Sequence, residues 1–189
     1  MGNQAEWKGA PESRVAWELW IKRAAACIAL VLLALALHYG RRSGGMVLAR
    51  DRTAMPRLVV SRLDGGTWRM QEHLGQVVLV NYWATWCGPC WEETPALIRV
   101  SQELGPKGLS VVGISVDEGG TAKVQEFVNR FKLPYPVGLS EPMSQMVYGM
   151  AGVPTTILVD RRGRVAKTYV GAMEENDLRR DIAVLLEEH

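Results

Sequence analysis

The feature that most constrains the fold is a buried-strand pattern running directly into a pair of cysteines. Gln76-Val77-Val78-Leu79-Val80-Asn81-Tyr82-Trp83 is a near-continuous apolar run rich in β-branched residues. A strand reads this way when both of its faces are covered. Three residues on come Trp86-Cys87-Gly88-Pro89-Cys90, and then a helical pattern from Pro89 to Leu104 with Pro95 inside it, where a kink is expected. A strand buried on both faces needs a layer on each side, so the chain is an α/β protein, not a bundle or a sandwich.

The remaining segments agree with that class. Leu58-Val59-Val60 and Thr67-Trp68 flank the turn signal Asp64-Gly65-Gly66, which predicts an opening β-hairpin. Leu109–Val116 reads as a second buried strand. Thr121–Phe131 reads as a helix, with Val124, Phe127 and Val128 on one face. A short strand is expected at Tyr135–Leu139. A short helix is expected at Glu141–Met150, with Met143, Met146 and Met150 as core filler. Thr155–Asp160 and Arg164–Val170 form a hairpin around Arg161-Arg162-Gly163. Glu174–Glu188 closes the chain as an amphipathic helix carrying Leu178, Ile182, Leu185 and Leu186 on one face. The sum is a mixed sheet with helices on both faces.

Charge separates an N-terminal segment from this domain. The chain has 189 residues and a net charge of +2, too balanced for a nucleic-acid binder. Residues 1–42 carry 6 basic and 3 acidic side chains, whereas 43–189 carry 16 and 17. From Ala24 to Gly40 there is no charge; Lys22 and Arg23 precede the run, and Arg41 and Arg42 follow. Seventeen helical residues reach roughly 25 Å, at the short end of a bilayer core of ~30 Å. Trp17, Trp20 and Tyr39 sit at its borders like a membrane-interface belt. The segments are therefore read as a polar stretch 1–20, a transmembrane anchor 21–40, a Gly- and Arg-rich linker 41–55 and a domain 56–189. Two alternatives stay open: a cleaved signal peptide, with Ala34-Leu35-Ala36 as an A-x-A site, and a buried soluble helix. Cys27 reads as apolar filler.

The chemistry concentrates at Cys87 and Cys90. With three cysteines, and with His38, His73 and His189 as the only histidines, there is no second half for a zinc site. Trp91 stands where a c-type haem would need histidine. No metal or cofactor is expected, and redox chemistry is the surviving reading. Cys87 lies just ahead of a helix, where unpaired N–H groups and the helix dipole favour a thiolate. It is read as the solvent-facing nucleophile. Cys90, in the first turn and more shielded, is within disulfide reach and is read as the resolving thiol. Pro89 at the helix start loses no intrahelical bond. A permanently closed bracing disulfide is the alternative, although so short a loop would stabilise little. Val153-Pro154-Thr155 opens a strand after Gly149-Met150-Ala151-Gly152, which makes Pro154 a candidate cis proline facing the cysteines.

Residues ~56–189 resemble the membrane-anchored thioredoxin-like family of TlpA, ResA and the cytochrome c maturation reductases. The matching stretches are Leu63-Asp64-Gly65-Gly66, Val80 to Cys90, Glu92-Glu93-Thr94-Pro95, Gly152-Val153-Pro154-Thr155-Thr156 and Val159-Asp160-Arg161-Arg162-Gly163. The resemblance implies a thioredoxin fold with an N-terminal hairpin and a strand–helix insertion over 117–140. It also implies disulfide exchange with protein substrates outside the cytoplasm, a membrane electron donor of the thiol–disulfide relay type and a single-pass, inner-membrane, periplasmic-facing location. The Trp86, Gly88 and Pro89 of the motif, with Val153 and Pro154, would support Cys87 and Cys90. Thioredoxins proper carry a buried Asp where Asn81 stands, so that proton acceptor is absent. Family members often place an acid three residues after the second cysteine, here Glu93; it is read as a proton relay, or else as a helix-dipole or solvated charge. The cytochrome c maturation subgroup carries Pro-Glu-Thr where this chain has Pro154-Thr155-Thr156. Two other classes on related folds fit less well: a peroxidase would want Thr or Ser where Ala84 stands, and a copper chaperone would want CxxxC.

Overall fold

The computed structural model of the chain describes residues 17, 20–32, 45–140 and 152–188. It separates into two compact units, 1–43 and 44–189. In the first, residues 20–32 are helical. Among the described residues, no helix is long and apolar enough to cross a membrane. The rest of the expected 21–40 span lies outside the described residues.

The second unit is built on one seven-stranded sheet of order β2-β1-β5-β4-β3-β6-β7. The strands are β1 (Val59–Arg62), β2 (Thr67–Arg69), β3 (Val77–Trp83), β4 (Leu109–Ser115), β5 (Val137–Leu139), β6 (Thr155–Val159) and β7 (Val165–Val170). β3 pairs parallel with β4 and antiparallel with β6, and all seven of its residues are buried. Its alternation explains the unbroken apolar run. Val77, Leu79 and Trp83 enter one core cluster, and Val78, Val80 and Tyr82 enter the other.

Helices α1 (Gly88–Leu104), α2 (Ala122–Phe131) and α3 (Glu175–Glu187) all bury their apolar residues in the first of these clusters. Leu97 and Val100 come from α1, Val124 and Phe127 from α2, and Leu178, Ile182 and Leu185 from α3. These three helices thus contribute to one cluster; the helix expected at 141–150 lies outside the described residues. α1 runs unbroken through Pro95. That proline removes only the bond to the Trp91 carbonyl, one turn back near the helix start. α2 and β5 form the insertion, and β5 closes on the hairpin through Ser61↔Leu139 and Arg62↔Gly138.

The boundary at 55 needs correction. Residues 46–55, expected to belong to the linker, run along the domain: Val47 N–H donates to Ala166 O, Val165 N–H to Thr53 O and Met55 N–H to Gly163 O. The Arg52 guanidinium is buried between Asp160 and Glu188. Local composition marked the stretch as a tether because the partners of Arg52 lie 108 and 136 residues away.

Candidate active site

Cys87 is the N-cap of α1, in extended conformation, and Pro89 occupies the first turn. The chain turns out of β3 through Ala84, Thr85 and Trp86, and this turn is held from two sides. The Asp117 carboxylate accepts from Thr85 N–H (2.8 Å), Thr85 Oγ1 (2.5 Å) and Ser115 Oγ (2.7 Å). The Trp91 indole N–H donates to the Thr85 carbonyl at 2.9 Å. Asp117 was not legible as a site residue, because only the parallel pairing of β3 with β4 brings residues 85 and 117 together.

Cys87 and Cys90 form a disulfide with Cα atoms 5.3 Å apart. Neither is solvent-facing: Cys87 is 3% exposed and Cys90 1%. The expectation of an exposed Cys87 is corrected here, since the core cluster that takes in Trp83 and Leu97 also encloses both cysteines. What distinguishes the two sulfurs is hydrogen bonding. The Cys90 N–H donates to Cys87 Sγ at 3.2 Å. The same amide also donates to the Cys87 carbonyl oxygen at 3.1 Å, so a helix-start N–H is shared between that oxygen and the sulfur that would carry negative charge as a thiolate. Trp86, in contrast, is 69% exposed, and Gly88 and Pro89 are exposed beside it.

Glu93 is buried, which overturns its reading as a solvated charge. Asn81 Nδ2 donates both to Glu93 Oε1 and to Thr156 Oγ1, each at 2.9 Å. Glu93 Oε2 has no partner among the described residues. Burial pushes the carboxyl up from 4.5 to about 7, while Asn81 and the backbone amide of Met173 pull it partly back. Asn81 cannot titrate, but it holds the group that can. The buried carboxyl at this site thus stands on the helix that carries the cysteines, with the amide of Asn81 on the strand.

The Val153–Pro154 bond is cis. Thr155, the next residue, pairs with Tyr82 near the end of β3, so the bond lies at the sheet edge from which Cys87 emerges. Val153 packs against the core cluster that contains both cysteines. The fold therefore gathers Trp86, Cys87, Cys90, Glu93 and Val153–Pro154 at one edge, from two segments separated by about sixty residues of sequence.

A family model described as Redoxin matches residues 50–183. The thiol-disulfide oxidoreductase ResA of Geobacillus thermodenitrificans is 30% identical over 128 residues, covering 67% of this chain and 73% of that protein. Among solved structures, a thiol:disulfide interchange protein of the thioredoxin family from Chlorobium tepidum superposes with a TM-score of 0.67. Its identity is 26%, over 72% of this chain and 97% of that one. A secreted thiol-disulfide isomerase from Corynebacterium glutamicum gives 0.69 at 27% identity, over 76% and 91%. With a cysteine pair at the start of a helix, an adjoining cis proline and these relatives, the chain belongs to the Redoxin family and is a thiol–disulfide oxidoreductase of the ResA-like kind.

Proposed function

We propose that the chain reduces disulfides of proteins outside the cytoplasm while held to the inner membrane by segment 21–40. The Cys87 thiolate attacks a substrate disulfide, forming a Cys87–substrate bond and releasing one substrate thiolate. Cys90, losing its proton to the Glu93 carboxylate, then attacks Cys87 Sγ. The second substrate thiolate leaves, and the Cys87–Cys90 disulfide closes. Two electrons have passed to the substrate, and a membrane dithiol donor restores them.

The observation that carries this reading is the N-cap position of Cys87 with the Cys90 amide on its sulfur. The location is supported by the uncharged run 24–40 and by Ile28, Leu30, Val31 and Leu32, all exposed on the helix of residues 20–32. Apolar side chains exposed together in this way mark a surface that meets lipid or a partner. A dithiol tethered where disulfides persist has substrates; in a reducing cytoplasm it has few.

Trapping tests both parts. In cells, Cys90→Ser should accumulate mixed disulfides between Cys87 and exported proteins, and Cys87→Ala should give none. Capture of cytoplasmic proteins alone would refute the location. Equal trapping by Cys87→Ala would refute the roles of the two thiols.

A further inference from the structure

Next to the cysteine pair, on its β4–β5 side, lies a hollow of about 360 Å³ between the start of α1 and the insertion helix α2. The cis bond flanks the pair on the opposite, β6 side. Thr85 and Trp86 wall the hollow, so it is continuous with the turn that delivers Cys87. Its floor is aromatic. Trp91 meets Phe127 edge-on at 4.8 Å between centroids, and the ring is locked by its bond to Thr85 O. The rim comes from one face of α2: Lys123, Glu126 and Arg130 follow at three- and four-residue spacing.

This rim has a sign. Among the described residues, Lys123 and Arg130 make no ion pair; the Arg130 guanidinium lies over the Trp91 ring, 5.1 Å from its centroid. Two cations against Glu126 leave an excess of one positive charge, on a domain that is −1 from residue 43 onward. A neighbouring hollow beyond Lys123 carries Asp117 and Glu118. The Asp117 oxygens accept from Thr85 and Ser115, and neither acid lines the hollow between α1 and α2.

Resting on Cys87 as the attacking thiol, we propose that this hollow seats the stretch of substrate polypeptide beside the target cysteine. It selects an apolar side chain against Trp91 and Phe127, with an acidic side chain next to Lys123 and Arg130. Thr85 and Trp86, the two residues before Cys87, line this hollow, so the polypeptide beside a disulfide attacked by Cys87 is within its reach. An aromatic floor with a cationic rim suits an acidic-apolar segment and disfavours a basic one.

The test uses the reduced full chain and three substrates. Two are disulfide-linked peptides with Phe beside the cysteine, identical except that Asp-Asp or Lys-Lys follows. The third is hydroxyethyl disulfide, which is neutral and too small to reach the hollow. The wild-type protein should reduce the acidic peptide about tenfold faster than the basic one, or about 1.4 kcal/mol of preference. Lys123→Glu with Arg130→Glu, both at exposed positions, should reverse that order and leave the hydroxyethyl disulfide rate unchanged. Absence of preference in the wild type, or its persistence in the double variant, overturns the proposal. So does an equal loss on all three substrates. Failure of the wild type to reduce hydroxyethyl disulfide would instead overturn the proposed function itself.

Discussion

Glu93→Gln should remove a pH dependence of stability that the wild type carries. In the folded protein burial raises the Glu93 carboxyl from 4.5 to about 7, whereas in the unfolded chain it titrates at its ordinary value. Between these two pH values the native state holds a proton that the unfolded state has lost. Stability therefore falls as pH rises through this window. A tenfold difference in proton affinity is about 1.4 kcal/mol, so the full gap costs about 3 kcal/mol, absent below pH 4.5 and complete a little above pH 7. Gln has the shape of the protonated acid, and its Oε1 can accept from Asn81 as Glu93 does. Its extra buried N–H groups carry a cost that does not vary with pH. Urea unfolding of the oxidised protein at steps from pH 5 to 8 measures this. Over this range the difference in unfolding free energy between variant and wild type should move by about 2.5 kcal/mol in favour of the variant, since a little of the penalty is already present at pH 5. In the reduced protein, the same substitution should abolish the inflection near pH 7 in the alkylation rate of Cys90. Parallel stability curves would show that Glu93 is already ionised throughout the range, and the proton-relay argument would fail with them.

Two predictions concern the scaffold. Arg52→Ala strands the buried Asp160 with only Arg164 and two backbone amides. Losing one partner of a buried pair in this way should lower the unfolding free energy by about 2–3 kcal/mol in urea titration. An unchanged midpoint would mean that residues 46–55 are not integral to the domain. Gly138→Ala would drive a Cβ into the Ser61 carbonyl oxygen and Val60 Cγ1, where β5 meets β1. Thermal unfolding should record a loss of about 1–3 kcal/mol, with the disulfide reduction rate of the folded protein unchanged. A loss of reduction rate without a loss of stability would link the hairpin to the active site.

Much of the site could be read before any coordinates because its parts are contiguous. Cys87 stands at a helix start, and Cys90 follows at one-turn spacing. The β3 run that delivers them is apolar throughout because both faces are covered, a pattern carried within eight consecutive residues. The proline before β6 likewise sits at a recognisable strand start. What lay beyond reach depends on side chains meeting across the chain. Glu93 is buried where α1 packs against β3, and that loss of solvent, not the spacing from Cys90, pushes its carboxyl up to about 7 against the hydrogen bond from Asn81 that pulls it back. Asp117 reaches Thr85 only through the parallel pairing of β3 and β4. Arg52 finds Asp160 and Glu188 more than a hundred residues away, so a stretch that locally resembles a tether joins the domain. Local periodicity and motif spacing report the backbone conformation of neighbouring residues. Which charge is buried, and against what partner, is set by contacts between distant segments, and only the packed sheet and its helices decide that.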